Sequence, residues 1–202
     1  MVWGFLFLYM NMLSSAFNGD SYISNTFLNL KNVFNIDTVV ETGTYRGDTT
    51  IFLCEHFKNV YSIEVRRDNY EFALNKLRFL KLSPNLIWGK SEDVLKSIIV
   101  NNKITDRSIF FLDAHWYECP LQRELEIIAE CNIKPIIVIH DFVVPYSKTL
   151  GYDEYNDQPF TYEWLKPYFD RIYGVGKYNY WYNSDIFSGG RKRGVIYLSP
   201  SI

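Results

Sequence analysis

Thirteen residues, Thr38-Val-Val-Glu-Thr-Gly-Thr-Tyr-Arg-Gly-Asp-Thr-Thr50, constrain this chain more than any others. A β-branched run from Thr38 to Val40 ends in an acid, Glu41, and passes two glycines, Gly43 and Gly47, before the apolar segment Thr50 to Phe57. Together they spell strand, tight turn, helix. Glycine at those places allows positive φ and the close approach of a ligand, and the N–H groups that open the helix face the same space. Such a turn cradles a nucleotide or cofactor. The dinucleotide fingerprint is G-x-G-x-x-G, whereas this turn is E-x-G-x-x-x-G, with a carboxylate in place of the first glycine. A carboxylate there suits a positively charged ligand better than a pyrophosphate.

Strand and helix signals alternate after Glu41. Strands are expected at Asn59 to Val65, Asn85 to Trp88, Ser108 to Asp113 and Pro135 to Asp141, and helices at Asn69 to Leu82, Glu92 to Val100 and Leu121 to Glu130. Runs of consecutive apolar residues mark strands buried on both faces, so the fold class is α/β: a doubly wound, mainly parallel sheet with helices on each side. A long aromatic loop follows Asp141, then a helix from Phe160 to Ile172 and two last strands, Tyr178 to Tyr182 and Gly194 to Leu198. Before the first strand, Ser24 to Val33 reads as a helix. Met1 to Leu13 is strongly apolar but lacks a positive start and a cleavage site, and it falls short of the roughly 20 residues that span a bilayer, so a docked helix is expected there.

In an open α/β sheet ligands gather at the carboxyl ends of the strands, where the strand order reverses. Glu64, followed by Val65, ends the second strand, where a carboxylate accepts both hydrogen bonds of a ribose cis-diol. After the third strand, Ser91, Glu92 and Asp93 offer a hydroxyl and two acids; Ser91 serves equally well as a helix N-cap. The fourth strand ends in Asp113-Ala-His115-Trp116 and the fifth in His140-Asp141. Acids ending two hydrophobic strands are unfavourable unless solvated, paired or bound to a cation, so their adjacency points to a reactive centre.

VVETGTYRGDTT resembles the first motif of the class I S-adenosylmethionine-dependent methyltransferases, and the strand-end residues from Thr38 to Leu198 follow in the order that this resemblance implies. It implies a seven-stranded Rossmann-like sheet with a terminal antiparallel hairpin, a single methyltransferase domain over residues 1–202 with a helical extension at 1–34, and an acceptor loop at 142–160. It implies cofactor contacts from Glu41, Gly43, Thr44, Tyr45, Gly47, Thr49, Glu64, Val65, Ser91, Glu92, Asp113 and His115, the loop at Ser91 and Glu92 meeting the adenine. FFLDAHW and IIVIHDF, with the stretch Gly151 to Trp164, are similar to sugar O-methyltransferases among glycan-tailoring proteins, including the methyltransferase domain of multidomain glycan-building proteins of large algal viruses. That likeness implies a carbohydrate acceptor, glycan biosynthesis, a place in a larger multidomain protein, and a cytoplasmic location, the host's cytoplasm for a viral chain.

Asp113, His140 and Asp141 are the expected catalytic residues. The pairing echoes metal-dependent O-methyltransferases, which implies magnesium or manganese on Asp113 and Asp141. His140 stands where that pattern carries a second acid or an amide, so base catalysis by Asp113 or His140 without a metal stays open. Trp116, Tyr152, Tyr155 and Trp164 offer flat faces to an acceptor, interleaved with Asp153, Glu154, Asn156 and Asp157 to bind hydroxyls. Net charge is −2 and the only basic cluster, Arg191-Lys-Arg193, reads as a solvated turn, which leaves no stripe for nucleic acid. Three cysteines without a CxxC pair give neither a disulfide framework nor a zinc site. A methyltransferase of phenolic small molecules, a nicotinamide-dependent oxidoreductase or epimerase, and a non-catalytic binding module are the alternatives; Glu41 in place of a glycine speaks against the nicotinamide enzyme.

Overall fold

The computed structural model describes residues 15–114, 118–184 and 192–201, so the helix expected at Met1 to Leu13 lies outside them. In chain order the elements are α1 (Ser21–Phe34), β1 (Thr38–Thr42), α2 (Asp48–His56), β2 (Asn59–Glu64), α3 (Arg67–Phe79), β3 (Asn85–Trp88), α4 (Ser91–Asn101), β4 (Ser108–Leu112), α5 (Leu121–Glu130) and β5 (Ile136–His140). A small hairpin of β6 (Glu154–Tyr155) and β7 (Gln158–Pro159) follows, then α6 (Tyr162–Tyr173), β8 (Tyr178–Tyr182) and β9 (Val195–Pro200). Seven strands make one sheet in the order β3-β2-β1-β4-β5-β9-β8. The first five run parallel, while β9 pairs antiparallel with both β5 and β8. This is the Rossmann-like sheet with a terminal antiparallel hairpin that the resemblance implies. The order reverses between β1 and β4, which makes that gap the switch point where a ligand is expected.

Alternation along the strands sorts the core into two layers. Val40, Ile63, Phe110 and Ile137 pack under Leu95 of α4, Leu125 of α5 and Phe169 of α6. Their neighbours Val39, Val60, Phe111 and Val138 pack under Phe27 of α1 and Phe52 and Leu53 of α2. Burial on both faces explains why β4 and β5 consist almost wholly of apolar residues. Phe111 fills the centre of the second layer, edge-on to Phe27 at 5.6 Å and to Phe17 at 5.3 Å, so truncating it to alanine is expected to cost about 3–5 kcal/mol.

Local chemistry moved several boundaries. Helix α1 starts three residues before Ser24 because the Asp20 carboxylate accepts the N–H groups of Tyr22 (2.9 Å) and Ile23 (3.3 Å). Helix α3 begins at Arg67 rather than Asn69 and closes at Phe79, with Lys81 beyond it in the left-handed region at φ 59°. The loop after Asp141 contains the β6–β7 hairpin, whose turn residues Asn156 and Asp157 both take positive φ, 52° and 61°. That is the conformation of a type I′ turn, for which asparagine and aspartate are preferred.

Candidate active site

At the switch point the end of β1 touches the end of β4. The Asp113 N–H donates to the Thr42 carbonyl at 3.1 Å, and a Cβ built on Gly43, at φ +86°, would lie 2.4 Å from the Asp113 carbonyl oxygen. Gly43 is therefore demanded by the neighbouring strand's backbone, a stricter requirement than the ligand approach the sequence suggested. Gly47, at φ +77°, opens α2, and a Cβ there would press on Ala73 of α3 at 3.3 Å. The turn is shaped by close packing of the protein on itself.

Glu41 points down into this turn. Its Oε2 accepts hydrogen bonds from Thr50 at 2.6 Å and from Ser62, its register partner on β2, at 2.5 Å; Thr44 Oγ1 lies 2.5 Å from the same Ser62 hydroxyl. Its other oxygen, Oε1, is buried without a hydrogen-bond partner. Complete burial outweighs the two hydroxyl donors and pushes the carboxyl up to about 8. An acid poised to ionise near neutrality is one whose charge a cationic ligand can draw out.

One strand over, Glu64 accepts the N–H of Tyr45 at 2.7 Å and the N–H of Arg66 at 2.8 Å, one on each carboxylate oxygen. It pins the turn after β1 to the turn after β2, and Tyr45 holds a left-handed φ of 49° to make the contact. Removing this side chain would therefore loosen two turns. Each oxygen keeps a further lone pair for a ligand. Val65 is half exposed beside it, its carbonyl taking the Trp88 indole N–H at 3.1 Å. Ser91 is the first residue of α4 rather than its cap, which is Lys90, and its buried Oγ has no hydrogen-bond partner. Glu92 is half-buried, 3.9 Å from the Lys90 ammonium. Along the carboxyl edge of β3-β2-β1 there thus runs a row of an orphaned hydroxyl, a half-used carboxylate and an orphaned carboxyl oxygen. Thr49 plays a different part, since its Oγ1 accepts the Phe17 N–H at 3.0 Å and holds the segment before α1 against α2.

Across the switch point Asp113, His140 and Asp141 come together. Nδ1 of the buried His140 stands 3.2 Å from Asp113 Oδ1 and 3.2 Å from Asp141 Oδ2, aligned for a good hydrogen bond with neither. Burial pulls the imidazole down, but the two carboxylates together outweigh it and hold His140 well above the usual histidine range. Asp113 is the most open of the three, its side chain 26% exposed against 2% for His140 and 13% for Asp141. Arg193 is not the solvated turn residue the sequence suggested. Its guanidinium bonds Asp141 through Nε and Asp153 through Nη2. One ligand atom from each of Asp113, His140 and Asp141 lies within 4.8 Å of the others, a spacing that fits a divalent ion. The charge does not fit, because a guanidinium already lies on Asp141.

Tyr155 and Phe160 form one stack with Trp164 of α6. Tyr155 lies parallel to Phe160 (5.9 Å, 3°) and Phe160 parallel to Trp164 (5.8 Å, 12°), so Tyr155 and Trp164 flank a buried ring and each has one face already covered. Burial drives the Tyr155 phenol up to about 12. Tyr152 stands apart, 48% exposed. Of the expected hydroxyl-binding residues, Asp153 is held by Arg193 and Asn156 and Asp157 serve the turn, which leaves Glu154. His115, Trp116 and Arg191 lie outside the described residues.

Sequence reasoning gave no role to Ser62, Thr50 or Asp20 and misread Arg193. Ser62 had a signal, a small hydroxyl inside the strand Asn59–Glu64 two residues before an acid, but it became meaningful only with the register that sets it opposite Glu41. Asp20 is buried, burial raises its carboxyl above the ordinary range, and its Oδ2 has no hydrogen-bond partner.

No protein-family model and no curated protein sequence matches the chain. Solved structures do share its fold. It is similar to a precorrin 8W decarboxylase of Methanobacterium thermoautotrophicum, at 16% identity over 90% of each chain with a TM-score of 0.55. It is similar to the O-methyltransferase TomG of Streptomyces achromogenes, involved in tomaymycin synthesis and solved with SAM, at 14% identity over 89% of this chain and 79% of that one, TM-score 0.62. It is also similar to an O-methyltransferase from Bacillus cereus in complex with SAH, at 16% identity over 90% of this chain and 81% of that one, TM-score 0.61. At these identities the likeness establishes the Rossmann-like methyltransferase fold, and a fold hosts more than one chemistry.

Proposed function

We propose that the chain is an S-adenosylmethionine-dependent O-methyltransferase whose acceptor is a hydroxyl of a carbohydrate. One observation carries this: the row of Ser91, Glu64 and Glu41 along three strand ends meets Asp113 and His140 at the switch point. The row offers a hydroxyl for an adenine amino group, a carboxylate for a ribose diol and a second acid for a cationic methionine end. When bound, S-adenosylmethionine supplies a methyl group on a positively charged sulfur, already activated for displacement. Gly43, Thr44, Tyr45 and Gly47 then shape the turn that holds it, and Glu41 ionises as that charge arrives.

At the acceptor, the chain's own residues align the hydroxyl and remove one proton. Asp113 is the base, since it is the member of the cluster most open to an incoming hydroxyl. His140, held high by its two carboxylates, keeps its own proton and sets a positive charge beside Asp113. The TomG fold neighbour's place in tomaymycin synthesis supports a small-molecule hydroxyl as the target. A sugar hydroxyl loses its proton far less readily than a phenol, and this buried carboxylate and imidazole cluster supplies the needed help. Tyr152 and the outer faces of Tyr155 and Trp164 offer stacking surfaces for the ring. A phenolic acceptor is the second reading, favoured by the engagement of Asp153, Asn156 and Asp157 elsewhere, which thins the set of groups that would read several hydroxyls.

The experiment pairs calorimetric titration of S-adenosylhomocysteine with incubation of labelled S-adenosylmethionine and a panel of glycosides, catechols and nucleic acids. Binding of the homocysteine product with label on a glycoside is expected. Absence of binding would overturn the methyltransferase reading, and label only on catechols would overturn the sugar.

A further inference from the structure

We propose that Arg193 is the resident cation of the reaction centre, a positioning residue that occupies Asp141 where a divalent ion would otherwise sit and ties the acceptor loop to that site. Three independent restraints hold it there. The fully buried Asn183 donates through Nδ2 to the Arg193 carbonyl at 2.8 Å and accepts the Val195 N–H at 2.8 Å, fixing the entry to β9. Gly151 N–H donates to the Lys192 carbonyl at 2.9 Å and its carbonyl accepts the Gly194 N–H at 2.8 Å, so the acceptor loop runs alongside the same residues. The Phe142 N–H donates to the Gly194 carbonyl at 2.8 Å, and a Cβ on Gly194 would lie 1.9 Å from the Phe142 carbonyl oxygen; the chain after Arg193 is pressed against the chain after Asp141. From this platform the guanidinium reaches Asp141 and Asp153 together, two carboxylates that a planar fork of five donors can satisfy and a lysine cannot.

Charge and geometry then act in concert. Asp141 holds a left-handed φ of 59° and directs Oδ2 at His140 while Oδ1 takes Arg193. The Asp153 N–H donates to the Asp141 carbonyl at 2.9 Å, so the arginine closes a ring that already has one backbone bond. Among the described residues, the guanidinium of Arg193 lies on Asp141 and Asp153 and the imidazole of His140 lies between Asp113 and Asp141, so a divalent ion on Asp141 would stand against both groups. The inference rests on the reaction centre proposed above, but its test does not depend on methyl transfer.

The test is titration of the protein with manganese, read as loss of the free-ion electron paramagnetic resonance signal. Wild type is expected to take up no ion below about millimolar manganese, the range of weak sites of few ligands. Arg193→Gln, which removes the charge, should gain one site at least tenfold tighter, and adding Asp141→Asn should remove it. Arg193→Lys keeps the charge and loses the fork, so it should remain closed to manganese while limited proteolysis cuts the loop at 142–160 faster than in wild type. Tight manganese binding by wild type that Asp141→Asn abolishes would overturn the proposal, as would Arg193→Lys opening the site or leaving the loop as protected as before. Should Arg193→Gln fail to fold, those wild-type and lysine measurements still decide.

Discussion

The two halves of the strand-end edge handle acid in opposite ways. On the β3-β2-β1 side Glu41 and Glu64 are met by hydroxyls and backbone N–H groups, and Glu41 keeps one oxygen bare. On the β4-β5-β9 side Asp113, Asp141 and Asp153 are met by an imidazole and a guanidinium. Neutral donors leave a carboxyl's charge available to a cation from outside, whereas a resident cation uses it up. On the function proposed above, the first half would receive positive charge and the second a neutral molecule that gives up a proton. A methyl donor that carries its charge on sulfur and an acceptor that carries none would divide the edge in this way.

Removing Asp113, the base proposed above, is expected to break the second half most severely. Asp113→Asn should lower methyl transfer by about 10²–10⁴-fold while S-adenosylhomocysteine affinity stays within a few-fold of wild type. Single-turnover transfer of labelled methyl reads the first quantity and calorimetry the second. Retained transfer would move the base to another residue and leave the Asp113–His140 pair as architecture.

Glu64 tests the first half. Glu64→Gln puts an amide N–H₂ where one backbone N–H now donates, and it offers a ribose diol one acceptor fewer; product affinity should fall by about 2–4 kcal/mol. Because the same carboxylate pins two turns, thermal melting must be followed in parallel. A drop in melting temperature that S-adenosylhomocysteine still reverses with wild-type affinity would make Glu64 a turn clamp alone.

How far the sequence foretold this division depends on which residue is asked. Strand ends were legible because apolar runs mark strands and acids mark where they meet solvent, so Glu41, Glu64, Asp113 and Asp141 fell at the right edge. Their partners were not legible. Ser62 meets Glu41 through parallel register, and Arg193 meets Asp141 across 52 residues through a β5–β9 pairing that no local pattern announces. Asn156 and Asp157 misled for the converse reason: polar residues that bind hydroxyls and polar residues that tolerate positive φ are the same residues.

Glu41 gives the comparison a pH axis. Its carboxyl titrates at about 8 in the folded chain against an ordinary 4.5, so the folded state binds the extra proton between those values. Stability from this group is full below about 4.5 and declines as pH rises towards about 8, and Glu41→Gln should flatten that part of a melting-temperature profile. Binding should follow the reverse course. The carboxylate that appears as pH rises favours the sulfonium of S-adenosylmethionine over the neutral sulfur of S-adenosylhomocysteine, so the ratio of their affinities should grow by about tenfold from about pH 6.5 to about pH 9. A ratio that does not move would place Glu41 out of reach of the sulfur.

Tyr152 carries the smallest expected effect and the clearest attribution. Trp164 is the more obvious stacking residue, but from α6 it leans on Phe160, so its loss would disturb packing as well as any ligand. Tyr152 is 48% exposed, with little packing to lose, and precedes Asp153, the carboxylate Arg193 holds. A ring-to-ring or ring-to-sugar stack is worth about 0.5–1.5 kcal/mol beyond its buried area. Tyr152→Ala should accordingly raise the acceptor KM by about two- to tenfold and leave kcat, cofactor affinity and melting temperature near wild type; Tyr152→Phe should restore the KM if stacking is the cause. Failure of the phenylalanine to rescue would assign the effect to the hydroxyl, and an unchanged KM in the alanine variant would move the acceptor's ring to the outer faces of Tyr155 and Trp164.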